Sequence, residues 1–270
     1  MEKEGCFEQH ALHIHESLEI CVLRENEAVF HLLDRDYDGR PGDVFLFRPF
    51  DPHWPLTRDA RKPIGWVMVL FSPIIVKWIP GGIHLLAPFY VRDRISPHVP
   101  AHSEYARNIQ QSAFLALEEQ AEKRIGWEAK QFQYLVDILV QLNRYAENQI
   151  SHLSEAMDHR IIQCIEYILG NYSENLSTDD FISRFDLKRT HFYESFKRLT
   201  GLSPNAFINR LRLQMSMYLL KNQEMPITRI ALECGFQSVS YFNYVFKSHL
   251  GEAPRNYRNR IKSTKDMQTP

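Results

Sequence analysis

The sequence predicts an α+β protein: a small β-barrel with a helical pair, then an all-α domain in which one helical unit occurs twice around a long joining helix. Three observations carry this. Short β-rich runs separated by turn signals fill residues 10–79. After Ser103 the apolar spacing switches to steps of three and four. Finally, the stretch starting at His191 repeats at Tyr241, 50 residues on: Phe192 meets Phe242, Phe196 meets Phe246, Lys197 meets Lys247, Gly201 meets Gly251 and Pro204 meets Pro254.

In chain order, LHIH, LEICVLRE, AVFHLLD, DVFLFRP and GWVMVLF read as strands, divided by turns at Asp38-Gly39, Pro41-Gly42 and Asp51-Pro52. His13 and His15 lie two apart on a strand and share a side, and Glu19 has the same parity. With His53 from a facing strand, three imidazoles and a carboxylate could hold zinc, manganese or iron. The same groups could instead bind a small molecule or bond one another. Our expectation is a small-molecule pocket, with no metal and no cofactor. Arg48, Trp54 and Trp66 are its candidate walls, since an arginine beside tryptophan suits a sugar or a carboxylate. Taken singly, a tryptophan in a short strand is usually core and an arginine at a strand end usually solvated.

Ala106, Ile109, Ala113 and Leu117 mark one helix, and Phe132, Leu135, Leu139, Leu142 and Ala146 form a coiled-coil-like seam on the next. Such a seam either joins two chains or packs on its own barrel. The polar segment 149–158 reads as an interdomain linker.

The repeated unit is a short helix, a tight turn and a second helix, the pattern that sets a recognition helix into a DNA major groove. In the first copy Ser177 caps a helix carrying Phe181, Ile182 and Phe185, and a second helix spans Arg189–Thr200 before Gly201. In the second copy Pro226 occupies the first helical position, Gly235-Phe236 make the turn, and the recognition helix spans Val239–Leu250. Between them Ser203-Pro204 opens a helix running to Lys221. At 1.5 Å per residue it is about 28 Å long, close to the roughly 34 Å repeat of B-DNA.

With Ile230-Ala231, Cys234-Gly235-Phe236, Tyr241-Phe242, Phe246-Lys247, Gly251, Pro254 and Tyr257-Arg258, residues 159–262 resemble the DNA-binding domain of the AraC family of bacterial transcription regulators. The pattern His13-x-His15 with Glu19, then Gly42-Asp43, Pro49 and His53, resembles the two motifs of the cupin barrel, the common sensory half of such regulators. The resemblance implies a sensory barrel over 1–100, a dimerising helical segment over 101–148, the linker, the DNA-binding domain and a tail over 263–270. It also implies RNA polymerase as a partner, and a homodimer. The family usually has a basic residue where this chain has Glu194 and Tyr244. Candidate phosphate contacts are Arg189, Lys197, Arg198 and Lys247; candidate base readers are Thr190, Tyr193, Glu194, Val239, Ser240, Asn243 and Tyr244. Glu194 would accept from a cytosine amino group, and Val239 would touch a thymine methyl.

Charge agrees with this division. The net charge is −1, yet residues 159–270 carry 16 Lys+Arg against 10 Asp+Glu while residues 1–158 carry 16 against 23. One end is suited to a polyanion, double-stranded DNA. Four scattered cysteines without a CxxC pair argue against a disulfide framework or a cysteine zinc site. The most apolar run, 64–76, is too short for a membrane span, and the charged start has no signal-peptide core. We therefore expect a cytoplasmic, ligand-responsive regulator and not an enzyme. The competing reading is a cupin-type metal-dependent enzyme or metal sensor fused to a DNA-binding domain.

Overall fold

The apolar run LEICVLRE is explained by what covers it. In the computed structural model, which describes residues 15–32, 35–59, 61–92, 95–150 and 156–268, the strands are β1 (Leu18–Glu25), β2 (Ala28–Leu32), β3 (Arg35–Gly39), β4 (Val44–Phe47), β5 (His53–Thr57), β6 (Gly65–Phe71) and β7 (His98–Val99). Among the described residues they form two antiparallel sheets, ordered β6-β1-β4-β7 and β3-β2-β5. β1 is central in the first sheet. Its odd-numbered face, with Cys21 and Leu23, packs with Phe45, Phe47 and Trp66 against Ala28 and Phe30 of the second sheet. The other face lies under a helix, so Leu18, Ile20 and Val22 are buried as well.

Two polar strands escape the expected pattern. β3 (RDYDG) and β5 (HWPLT) flank β2 at the edges of the smaller sheet, where charge and proline are tolerated. Asp38-Gly39, expected as a turn, instead ends β3. Glycine is needed there for space, because a Cβ on Gly39 would meet the Phe30 ring at 2.8 Å and the Phe45 ring at 3.1 Å. The turn itself follows at Arg40–Asp43, where Gly42 has φ of +95° and the Asp43 amide donates to the Arg40 carbonyl. The expected turn at Asp51-Pro52 sits one step earlier, with Phe50 at φ of +63° and the Asp51 amide on the Arg48 carbonyl.

The helices of this half are α1 (Ala87–Tyr90), α2 (Glu104–Glu122) and α3 (Trp127–Ile150), with two 3₁₀ segments over Pro73–Trp78 and Gly82–Leu86. Ser103 caps α2, its hydroxyl accepting from the Ala106 amide. Ala106, Ile109, Ala113 and Ala116 are buried; Leu117, expected with them, is only half-buried. The α3 seam Leu135, Leu139, Leu142 and Ala146 is buried within its own half, where α3 packs on α2, α1 and the second 3₁₀ segment. That seam is therefore not a free surface for a second chain. α3 also continues through Asn148 and Gln149 to Ile150, and the next helix starts at Ala156, so most of the expected linker 149–158 is helical or lies outside the described residues.

The chain divides into two compact units, Met1–Glu155 and Ala156–Pro270. The second is all helix: α4 (Ala156–Asn171), α5 (Thr178–Arg184), α6 (Arg189–Thr200), α7 (Pro204–Asn222), α8 (Ile227–Glu233), α9 (Val239–Leu250) and α10 (Pro254–Gln268). Pro226 caps α8 from just outside it rather than opening it. The duplication persists in the packing. Phe192–Phe196 ring centroids lie 5.6 Å apart and Phe242–Phe246 5.5 Å, while Phe196–Phe207 and Phe246–Tyr257 both pack edge to face at 5.4 Å. Each second helix ends at a left-handed glycine, Gly201 or Gly251. α7 serves both copies and is buried nearly all round, from Phe207 to Leu220. Arg212 on α7 donates to the carbonyls of Tyr172 and Glu174, both at 2.8 Å. Gly235 reaches the same loop, since a Cβ there would lie 2.8 Å from Ser173 and Tyr172 backbone atoms.

Candidate nucleic-acid interface and ligand cavity

In α6 the buried residues Phe192, Ser195, Phe196 and Leu199 leave Thr190, Glu194, Lys197 and Arg198 exposed. In α9, Phe242, Val245 and Phe246 are buried, leaving Ser240, Asn243, Tyr244 and Lys247 exposed. Helical geometry places positions 190, 193, 194 and 197 on one stripe, and 240, 243, 244 and 247 on the equivalent one. Not every candidate has the same freedom. Arg189 is ion-paired with Asp179, and the half-buried Tyr193 donates its hydroxyl to Thr178 Oγ1 at 3.2 Å, so both are tied back to the start of α5. Val239 is half-buried. Tyr244 is 69% exposed, and its ring lies 6.5 Å from that of Tyr241, an exposed residue the sequence reading left out of the site. The Tyr241 hydroxyl accepts from Asn209 Nδ2 at 2.8 Å.

In the barrel, the structure brings together His15, Glu19 and His53. His13 lies outside the described residues. His15 precedes β1 rather than belonging to a strand, so shared strand parity is not what joins it to Glu19. A bend at Glu16-Ser17 folds its ring back until Nε2 lies 2.7 Å from Glu19 Oε2. His53, at the start of β5, faces the same oxygen at 3.6 Å. Both rings place Nδ1 on a backbone carbonyl, His15 on Ser17 at 3.2 Å and His53 on Asp51 at 2.9 Å. A carbonyl only accepts, so Nδ1 carries the proton in each ring and Nε2 is turned to the carboxylate. The short His15–Glu19 contact then requires a positive charge between its atoms, which protonation of His15 supplies. Burial alone would raise the Glu19 carboxyl, but the hydrogen bond from His15 and the neighbouring His53 ring pull it from 4.5 down to about 2. For His15, burial opposes the charge, yet the bond to Glu19 wins and the imidazole is raised above 6.5. The three ligand atoms lie within 4.8 Å of one another, so a divalent cation is the alternative source of that charge.

Beside this trio is a cavity of about 550 Å³, within the range of small-molecule sites. His53, Arg48, Leu46 and Phe47 form its barrel side. Arg48 Nη2 reaches the carbonyls of Val91 and Ile95 at 3.1 Å, which moors the loop opposite. His15 and Glu19 contact His53 but are not part of the lining. Nor are the two tryptophans. Trp66 pairs with Leu23 and so faces the inter-sheet core; Trp54, one residue past His53, points to the other side of β5 and stacks on His31 at 4.9 Å. In their place stand Arg35, Asp51, Arg92, Ser96 and Gln149, which sequence reasoning missed. Arg92 is ion-paired with Asp51. A sequence offers no signal for these groups, because loop charges ordinarily read as solvated.

Comparison with known proteins places these features. The chain matches the sequence family described as AraC-like ligand binding domain over residues 3–135, and the one described as helix-turn-helix domain over residues 182–260. It is 26% identical over 260 residues to the HTH-type transcriptional activator RhaS of Escherichia fergusonii, covering 94% of this chain and 88% of that protein. With RhaS of Yersinia pestis it shares 25% identity over 252 residues, covering 92% and 89%. Among solved structures, unsaturated fatty acid bound ToxT from Vibrio cholerae aligns over 91% of this chain and 87% of its own at 17% identity, with a TM-score of 0.48. The DNA-binding domain of AdpA in complex with a target DNA covers 40% of this chain and 96% of its own at 22% identity, with a TM-score of 0.39.

Proposed function

This chain belongs to the AraC family of transcription regulators, with a ligand-binding domain followed by a DNA-binding helix-turn-helix domain, and on that footing we propose how its residues do the work. α6 and α9 are the two reading helices, entering successive major grooves on one face of the duplex. Thr190, Tyr193 and Glu194 read bases in one groove, and Val239, Ser240, Asn243 and Tyr244 in the other. Lys197, Lys247, Arg189 and Arg198 hold phosphates. The observation that carries this reading is the equivalence of the two exposed stripes at an offset of 50 residues, each backed by the same phenylalanine packing.

The 550 Å³ cavity is the effector site, with Arg48 and His53 in its wall. The His15–Glu19–His53 trio buttresses it through protons rather than a metal. An effector that prefers one arrangement of the barrel and helical pair shifts the population of DNA-binding geometries. Relatives named transcriptional activators support regulation rather than catalysis. No helix among the described residues is long and apolar enough to cross a membrane. We place the protein in the cytoplasm with the chromosome, paired with a second copy on its operator through a surface other than the α3 seam, and in contact with RNA polymerase. Chromatin mapping followed by footprinting of the full chain tests the reading. It predicts protection over two adjacent major grooves, and a folded protein that fails to bind its mapped sites at low salt refutes it.

A further inference from the structure

The two reading helices carry the same stripe with different chemistry. Among the described residues four large hydrophobic side chains are exposed, Ile125, Leu232, Tyr241 and Tyr244, and the last two stand one turn apart on α9. The phenylalanines of the same helix, Phe242 and Phe246, are fully buried. In α6 the positions duplicated by Tyr241 and Tyr244 are His191 and Glu194. His191 is half-buried and bonded through Nδ1 to Ser195 Oγ at 3.1 Å, whereas Glu194 is exposed. One helix therefore offers a carboxylate where the other offers a phenol ring.

The two tyrosines form one surface. Their rings are 25° from parallel, with centroids 6.5 Å apart, a span that covers about two steps of a duplex rising roughly 3.4 Å per base pair. Tyr241 is held from two directions: its ring lies 6.3 Å from that of Phe236, and its hydroxyl accepts from Asn209 on α7. Leaving so much ring in water is unfavourable, and a partner that covers it recovers the loss. A tyrosine has only two side-chain torsions to fix, so it supplies that contact at little cost in entropy. Lys247, one turn beyond Tyr244, is the cation of the same exposed stripe, so the partner is an anion. In the DNA major groove the apolar group on offer is the C5-methyl of thymine.

We propose that α9 reads thymine through this tyrosine pair, the rings of Tyr241 and Tyr244 burying the methyl groups of thymines at neighbouring base pairs. This rests on the reading that α9 enters the major groove. The two elements of the operator then differ in kind: the one under α9 is recognised by apolar contact, the one under α6 through the hydrogen-bonding capacity of Glu194. Tyr241 becomes a specificity-determining residue beside Tyr244, and Asn209 positions it from α7.

The test uses the full chain and a duplex obtained by in vitro selection with the wild-type protein, in which each thymine of the two elements is replaced in turn by deoxyuridine. That exchange removes the C5-methyl and leaves the hydrogen-bonding groups in place. Anisotropy titrations should find one or two thymines, in one element, whose replacement weakens binding about fourfold, the effect of burying one methyl. Tyr244→Ala is expected to remove the response at one of them, and Tyr241→Ala at the same or the neighbouring one. Tyr244→Phe keeps the ring and should keep the response. Wild type binding the uracil forms as tightly as the thymine form, a selected site without thymine, or alanine variants that retain the wild-type response would each overturn the proposal. So would Tyr244→Phe weakening all duplexes alike, which assigns the hydroxyl to a phosphate. Where footprints of the wild type still show two protected grooves, these results leave the underlying reading standing; protection of a single groove sinks both.

Discussion

Replacing Glu19 with glutamine probes the link between barrel stability and the buried charge at the cavity's edge. Glu19 is 5% exposed, and its carboxyl is held at about 2 instead of 4.5 by the two imidazoles. That depression corresponds to about 3 kcal/mol of stability. Because the folded value is the lower one, the contribution is complete above about pH 4.5 and is lost as pH falls toward 2. His15 runs the other way: with its folded value raised above 6.5, its contribution is complete below that pH and is lost as pH rises through the folded value. Together they place maximal support between about pH 4.5 and 6.5. Glu19→Gln leaves two imidazoles around a neutral amide, so at about pH 5.5 the barrel should lose on the order of 3 kcal/mol, and the gap from wild type should shrink to less than half of that near pH 3. Urea unfolding followed by tryptophan emission measures this selectively, since Trp54, Trp66, Trp78 and Trp127 all belong to the first unit. A gap that stays constant from about pH 3 to 6, or no gap at all, would refute the charge argument.

Lys197→Ala and Lys247→Ala should each weaken binding to all duplexes alike and reduce the slope of log affinity against log salt by about 0.9, measured by anisotropy titrations at several salt concentrations; a loss confined to one sequence would assign the lysine to a base instead. Elemental analysis of purified protein should find well under one metal ion per chain. Stoichiometric metal that survives dialysis and disappears in His53→Ala would replace the proton in the His15–Glu19–His53 account with a cation.

The sequence was most informative where one local rule governed both ends of an element. α6 and α9 begin and end where expected because a polar cap or extended residue opens each and a left-handed glycine closes it. β1, β2, β4 and β6 announce themselves through apolar runs, whereas β3 and β5 are edge strands whose charges and proline disguise them. The cavity was legible only in part. Arg48 and His53 lie beside a motif, but Arg92, Ser96 and Gln149 are far from it in sequence and arrive through the loop after α1 and the end of α3. Trp54 and Trp66 looked equally suited to a wall; one strand position decides whether a side chain meets the core, the cavity or the outside. His53 and Trp54 show this, pointing to opposite sides of β5.

The central claim is that α6 and α9 read two separate grooves through equivalent stripes. In vitro selection of binding sites by wild type, Glu194→Ala and Tyr244→Ala tests it most directly. The account predicts a bipartite site with elements about 10 base pairs apart. Glu194→Ala should lose on the order of 1–3 kcal/mol of discrimination at one base pair in one element, and Tyr244→Ala should relax preference only in the other. The same selected site from all three proteins would contradict it.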